Sequence, residues 1–288
     1  MQNYKTQLKK GLLVWIALLF IDISNAQVFS VDTLMRNGER NNRVNLVYLS
    51  DGYTAAEITN YIGNATAIND ALFLQTPFAQ YKNFFNVYAI KVPSTQSGAV
   101  HPGTASDESS SGGQPVANPT IYFNSTFDYF SIHRLLVPQN AGLVYSVLAS
   151  NLPDFDQAFI IVNSPYYGGS GGNFATSSVH SSAAEIAIHE IGHSFANLAD
   201  EYWAGDFYAA EKHNMTQNTN PATVRWANWY GLNNIAIYAH GSSGTAAVWF
   251  RPHQQCKMRY LGYPFCSVCI ERFIDKVHLI TNMADNYS

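Results

Sequence analysis

His189-Glu190-Ile191-Gly192-His193 is the stretch around which the rest of the chain has to be arranged. On an α-helix, two histidines four residues apart project from one face, one turn apart, so both imidazoles reach a single metal ion. The glutamate beside the first histidine then stands at the open metal position, where it can take a proton from water. Five residues make only a moderately specific pattern, so the neighbouring residues have to carry the reading.

They support a helix. Ser182-Ala183-Ala184-Glu185 has the form of a capping box, with Ser182 accepting from the third amide and Glu185 reaching back. Ala184, Ile188, Ile191, Phe195 and Leu198 then recur at helical spacing as an apolar stripe, opposite His189 and His193. One face packs on a core and the other presents the histidines to a cleft.

Zinc needs at least a third protein ligand. In the metzincin spacing a small residue falls at 196 and a ligand at 199, but Ala196 and Ala199 stand there. Asp200 lies on the histidine face, about 10 Å further along a straight helix. It can bind only if the helix ends near Leu198 and the chain folds back. Asp200 is the expected third ligand. Glu201 in the same turn is a weaker candidate, and Glu211 would serve if the site follows the zincin class with a downstream glutamate.

Residues 1–26 read as an export signal. Lys5, Lys9 and Lys10 precede a short apolar core from Leu12 to Ile21, and Ser24-Asn25-Ala26 offers small residues for cleavage before Gln27. Residues 27–288 are then expected to form a single exported catalytic domain, secreted or periplasmic. No later stretch is long and apolar enough for a membrane span. With the leader removed, 13 basic face 19 acidic side chains, a formal charge of −6 without basic runs. That balance argues against nucleic acid as partner.

Cys256, Cys266 and Cys269 are the only cysteines. Either Cys256 bridges to Cys266 or Cys269, or the three join a fourth ligand in a structural metal site. Elsewhere, strands are expected at 42–50, 86–92, 120–123 and 159–163. Helices are expected at 54–73 (opened by the box Thr54-Ala55-Ala56-Glu57), around His133 and Arg134, at 141–150 and at 267–281. Ser94 to Pro119 is rich in Ser, Gly and Pro. It reads as a solvated loop, although His101, Asp107 and Glu108 in it are ligand types. Tyr166 to Gly172 reads as a flexible link to the histidine helix. The alternation suggests an α+β fold, a twisted mixed sheet packed with helices.

Four segments together resemble the IgA-peptidase family of bacterial secreted zinc metallopeptidases. They are Asp51-Gly52-Tyr53-Thr54, Tyr167-Gly168-Gly169, the run from His189 to Leu198-Ala199-Asp200-Glu201-Tyr202, and Cys256-Lys257-Met258-Arg259 … Phe265-Cys266-Ser267-Val268-Cys269. The resemblance covers about residues 43–272. It implies a zincin, metzincin-like catalytic domain with one Zn2+, His189, His193 and Asp200 as ligands, and Glu190 as general base. It implies peptide hydrolysis by a zinc-activated water, with a protein or peptide as substrate and nothing said of immunoglobulin. Met258 resembles the methionine turn beneath the metal. Tyr260 resembles a tyrosine near the metal in some metzincins, and Tyr260 and Glu201 are candidates for contacts to the transition state or support of the ligands. Two other readings remain: a zinc amidohydrolase acting on cell-wall peptide or glycopeptide, and a non-catalytic zinc-stabilised binding module.

Overall fold

The computed structural model describes residues 27–281; the leader expected over residues 1–26 lies outside them. Six strands form one mixed sheet: β1 (Val31–Met35), β2 (Val44–Asp51), β3 (Phe85–Ile90), β4 (Gln157–Val162), β5 (Gly169–Ser170) and β6 (Ala175–Ser178). Their order across the sheet is β1-β3-β2-β4-β6-β5. The central four run parallel, and β1 and β5 pair antiparallel at the two edges. The α+β expectation of a mixed sheet packed with helices holds.

Every residue of β2 is buried, because both faces of the sheet are covered. Period-two alternation divides its side chains between two cores. Val44, Leu46 and Tyr48 join one, with Phe159 and Ile161 of β4. Val47 and Leu49 join the other, with Ala158, Ile160 and Val162. The first core lies under helices α1 (Ile58–Leu72), α3 (Ala183–Ser194) and α4 (Ser267–Thr281), and the second under α2 (Ala141–Asn151). Ile188, Ile191, Phe195 and Leu198 enter the first core, as their spacing requires. The histidine helix is therefore fixed from below by the sheet. Among the described residues no helix is long and apolar enough to cross a membrane.

Four local expectations are corrected. Residues 120–123 form no strand, and a two-residue strand follows at Ser125–Thr126. His133 and Arg134 sit in a turn after a three-residue 3-10 segment, Tyr129–Ser131. The glycine-rich link is not slack, since Gly169–Ser170 is the sheet's edge strand. The Ser94–Pro119 loop is not uniformly solvated either, because His101 within it is fully buried.

Candidate metal centre

The helix N-terminus differs from its sequence reading. Ser182 makes no side-chain cap bond. Glu185 instead forms an ion pair with the buried ammonium of Lys257 and accepts from the Gly262 amide at 2.6 Å. Burial raises the Glu185 pKa, but those partners overcome it and hold the carboxylate below its ordinary range. The pair fastens the start of α3 to the chain just ahead of Met258. Glu185→Ala leaves Lys257 charged and buried without its partner. Its expected cost is about 2 kcal/mol, reduced from the ~3–5 of a fully buried pair because Glu185 is partly exposed. Urea midpoints of the two proteins measure it.

The two histidines are oriented by backbone carbonyls. His189 Nδ1 lies 2.9 Å from the Lys257 oxygen, and His193 Nδ1 lies 2.9 Å from the Leu198 oxygen. A carbonyl only accepts, so each Nδ1 carries a proton and each Nε2 is the nitrogen turned towards the metal position. The two Nε2 atoms lie 3.1 Å apart. Asp200 Oδ1 completes a triangle, 3.1 Å from His189 Nε2 and 3.3 Å from His193 Nε2. Tetrahedral zinc with bonds of about 2.0–2.1 Å separates its N and O ligands by about 3.3 Å. Three donors converging at that spacing suit a zinc-like ion, and they would hold it from one side.

Asp200 gets there because α3 stops at Ser194 and Asn197 turns left-handed (φ 53°). Asn tolerates that conformation better than most residues, which is why it ends helices. The break therefore lies before Leu198 and rests on Asn197, a signal present in the sequence but passed over. Asn214, fully buried, then clamps the turn: its side chain accepts from the Ala199 amide at 2.7 Å and donates to the Ala199 carbonyl at 2.9 Å. Glu211 is engaged by Arg225, Thr216 and the Gln217 amide, and is not brought to the histidines.

Charge at the centre favours a cation. Burial alone would lower the His193 pKa, but Asp200 and Glu190 raise it to about 9. Asp200 is conversely held far below the carboxylate range, the histidines outweighing its burial. The triad thus keeps a positive charge, as proton or as metal. Because His193 holds its proton up to about pH 9, metal uptake at pH 7.5 is expected to displace roughly one proton from it. Above about pH 9 that release should vanish. Calorimetry in buffers of different ionisation enthalpy reads the proton count, and a count that does not change with pH would remove this account of His193.

Glu190 stands beside the triangle. Burial pushes its carboxyl above the ordinary range, against the pull of His189 and His193. Met258 is fully buried beneath the helix, where a Cβ on Gly192 would meet its sulfur at 2.4 Å. Glycine between the histidines is what lets the thioether approach. From above, Gly171 closes on His193 so tightly that a Cβ would lie 2.4 Å from the His193 Cβ.

Sequence reasoning missed three neighbours. Arg134 donates to the Tyr202 hydroxyl at 3.3 Å, with its guanidinium 5.7 Å from that ring. Burial and the Asp200 charge both raise the Tyr202 pKa, and burial and Glu190 raise that of Tyr167. Tyr202, two residues after Asp200, was the findable one. Tyr260, in contrast, is 46% exposed, packs with Arg259 and Tyr263, and has no hydrogen-bond partner for its hydroxyl among the described residues. Glu201 turns away from the triad towards the cysteines, Cys269 Sγ lying 3.3 Å from its Oε1. All three cysteines are free, with sulfurs 3.6–3.7 Å apart for the pairs Cys266–Cys269 and Cys256–Cys269. A disulfide needs about 2.0 Å, so neither of these pairs is bridged.

The family model described as IgA Peptidase M64 matches residues 33–237, well over half of the chain. The match contains the histidine helix and Asp200, and ends before Met258 and the cysteines. A search of curated proteins finds no match.

Proposed function

Because the chain belongs to the IgA peptidase M64 family and is thereby a metallopeptidase acting on protein, we propose that it is an exported zinc endopeptidase of zincin type. The observation that carries the reading is the triangle of His189 Nε2, His193 Nε2 and Asp200 Oδ1, with Glu190 beside it. A zinc ion bound by these three supplies Lewis acidity and makes water acidic enough to attack near neutral pH.

The protein's own groups do the rest. Glu190 takes the proton of the attacking water and hands it to the leaving amine, a role its raised pKa suits. Arg134 and Tyr202 form a polar group next to Asp200, suited to orienting a substrate carbonyl. An extended peptide pairs along a free sheet edge through its main chain, independently of sequence. Strand β4 cannot serve, since it lies inside the sheet between β2 and β6. The edge next to the histidine helix is β5, but Gly169 is already paired there, its amide donating to the Arg134 carbonyl and its carbonyl accepting from the Leu136 amide. The substrate is therefore expected to run past Gly171 and Gly172, where Gly171 packs against His193.

Digestion of an unfolded protein by the purified chain, with and without chelator, tests the reading. Internal cuts that stop with chelator and return with zinc are expected. Cleavage of cell-wall peptide alone would favour the amidohydrolase, and no cleavage at all the binding module. Export with cleavage after Ala26 rests on the residue pattern of the leader. N-terminal sequencing of exported protein checks it, and a retained leader would sink it.

A further inference from the structure

The stretch from Ser94 to Ser131 contains nothing more regular than three-residue turns and a two-residue strand, yet it buries polar side chains. His101, Asp128 and His133 are almost fully buried and face a partly exposed Glu108. His101 Nδ1 donates to the Pro115 carbonyl at 2.9 Å, which leaves its Nε2 bare. That nitrogen is buried 3.0 Å from Glu108 Oε1 and 3.6 Å from Asp128 Oδ1, yet it has no hydrogen bond of acceptable geometry. Glu108 Oε2 is likewise buried and unpartnered. His133 Nδ1 lies 3.1 Å from Asp128 Oδ1 and 3.7 Å from Glu108 Oε2. Two imidazole nitrogens and two carboxylates thus converge on one point, their ligand atoms all within 4.8 Å of one another, with His133 Nδ1 donating to Asp128. The His133–Asp128 bond satisfies one pair, but without a cation the His101 lone pair and the Glu108 carboxylate face each other desolvated. The four N–O separations bracket the ~3.3 Å edge of a tetrahedron around a zinc-sized ion.

Supporting bonds fix the donors from outside, as around metal ligands generally. Asp128 Oδ2 accepts from the Thr104 amide at 2.8 Å, and Asp107 accepts from the His133 amide at 2.7 Å. We propose that His101, Glu108, Asp128 and His133 bind a second divalent ion of the zinc class, with a structural role. Two imidazoles disfavour calcium, which takes 6–8 oxygens, and four protein donors close the coordination shell. The ion folds a segment that has little apolar core of its own. It also steadies one side of the peptidase centre: Arg134 follows His133 directly, and the His133 ring stacks on Phe127, whose ring meets Gly168.

Metal analysis of the full chain, purified with zinc and then freed of loose ions, tests it. His133→Ala and Glu108→Ala should each remove one zinc per chain, in addition to the one that His193→Ala removes. Each should also open residues 101–131 to limited proteolysis. If His133→Ala does not fold, Glu108→Ala decides, because that side chain is the more exposed. Unchanged zinc in Glu108→Ala, or equal loop resistance with and without chelator, overturns the site. Neither readout depends on peptidase activity, so the two proposals fail separately.

A different observation carries a second site. Cys256, Cys266, Cys269 and Glu201 are all buried, with donor atoms within 4.8 Å of one another. Sulfurs on tetrahedral zinc at about 2.3 Å sit roughly 3.8 Å apart, close to the observed 3.6 and 3.7 Å. Glu201 Oε2 is buried with no partner, and among the described residues no basic side chain is bonded to this carboxylate. We infer that these four residues hold a structural zinc-class ion, with Glu201 in place of the missing fourth cysteine. That ion joins the residue after Asp200, the residue two before Met258 and the start of α4. Alkylation of the unreduced, denatured chain should label all three cysteines, and Cys269→Ser should lose one zinc. A single labelled cysteine, the mark of a disulfide, or undiminished zinc in Cys269→Ser overturns it.

Discussion

Glu190→Ala is expected to lower kcat/KM on a protein substrate by at least about 100-fold, the scale of general acid–base catalysis, while metal content stays the same. The carboxylate lies next to the histidines but is not part of the donor triangle, so its loss removes a proton acceptor and no ligand. Glu190 must be ionised to accept a proton, so activity should rise with pH through its pKa, which burial has moved up. The residual activity of Glu190→Ala should lack that limb. Parallel pH profiles, or a variant within a few-fold of the parent, would take Glu190 out of the mechanism.

Asp200→Ala is expected to empty the catalytic centre. Two imidazoles remain, and the loss in affinity should exceed the ~10–100-fold cost of removing an outer supporting partner. Glu211→Ala should keep its full metal content, since Arg225 and Thr216 occupy that carboxylate. Metal analysis of the two variants decides the matter. Retention in Asp200→Ala with loss in Glu211→Ala would move the site to the downstream-glutamate class.

What was legible in the sequence was what periodicity controls. Val44 to Leu49 and Phe159 to Val162 declared themselves as strands because burial on both faces demands unbroken apolar side chains. The histidine helix declared itself because its apolar stripe and its histidines occupy opposite faces. The rest depends on partners remote in sequence. Glu185 has the right spacing for a cap but finds Lys257, 72 residues away, and a buried ammonium competes better for a carboxylate than a backbone amide does. His101 sits in a Ser- and Gly-rich loop that no hydrophobic pattern orders, so its burial appears only when Asp128 and His133 are brought to it. Asp200 was legible as a ligand candidate, but the Asn197 turn that brings it to the histidines was not, since a left-handed asparagine looks like any other polar residue in the chain. Tyr260 sat two residues from Met258 and attracted the role of a substrate-side tyrosine. Tyr202 is the one that shares its environment with Asp200.

The carbonyls of Lys257 and Leu198 hold His189 and His193 in place whether or not an ion is present, and Asn214 does the same for the turn that carries Asp200. Little chain entropy is then left to lose on ion capture, so the intrinsic affinity of the donors is expressed almost undiminished. Mass action then links the fold to its surroundings. An ion that binds only the folded chain adds about 4.1 kcal/mol when its free concentration is a thousand times Kd. The stability of the folded chain is therefore expected to follow the free metal concentration around it, and a chelating medium to lower that stability.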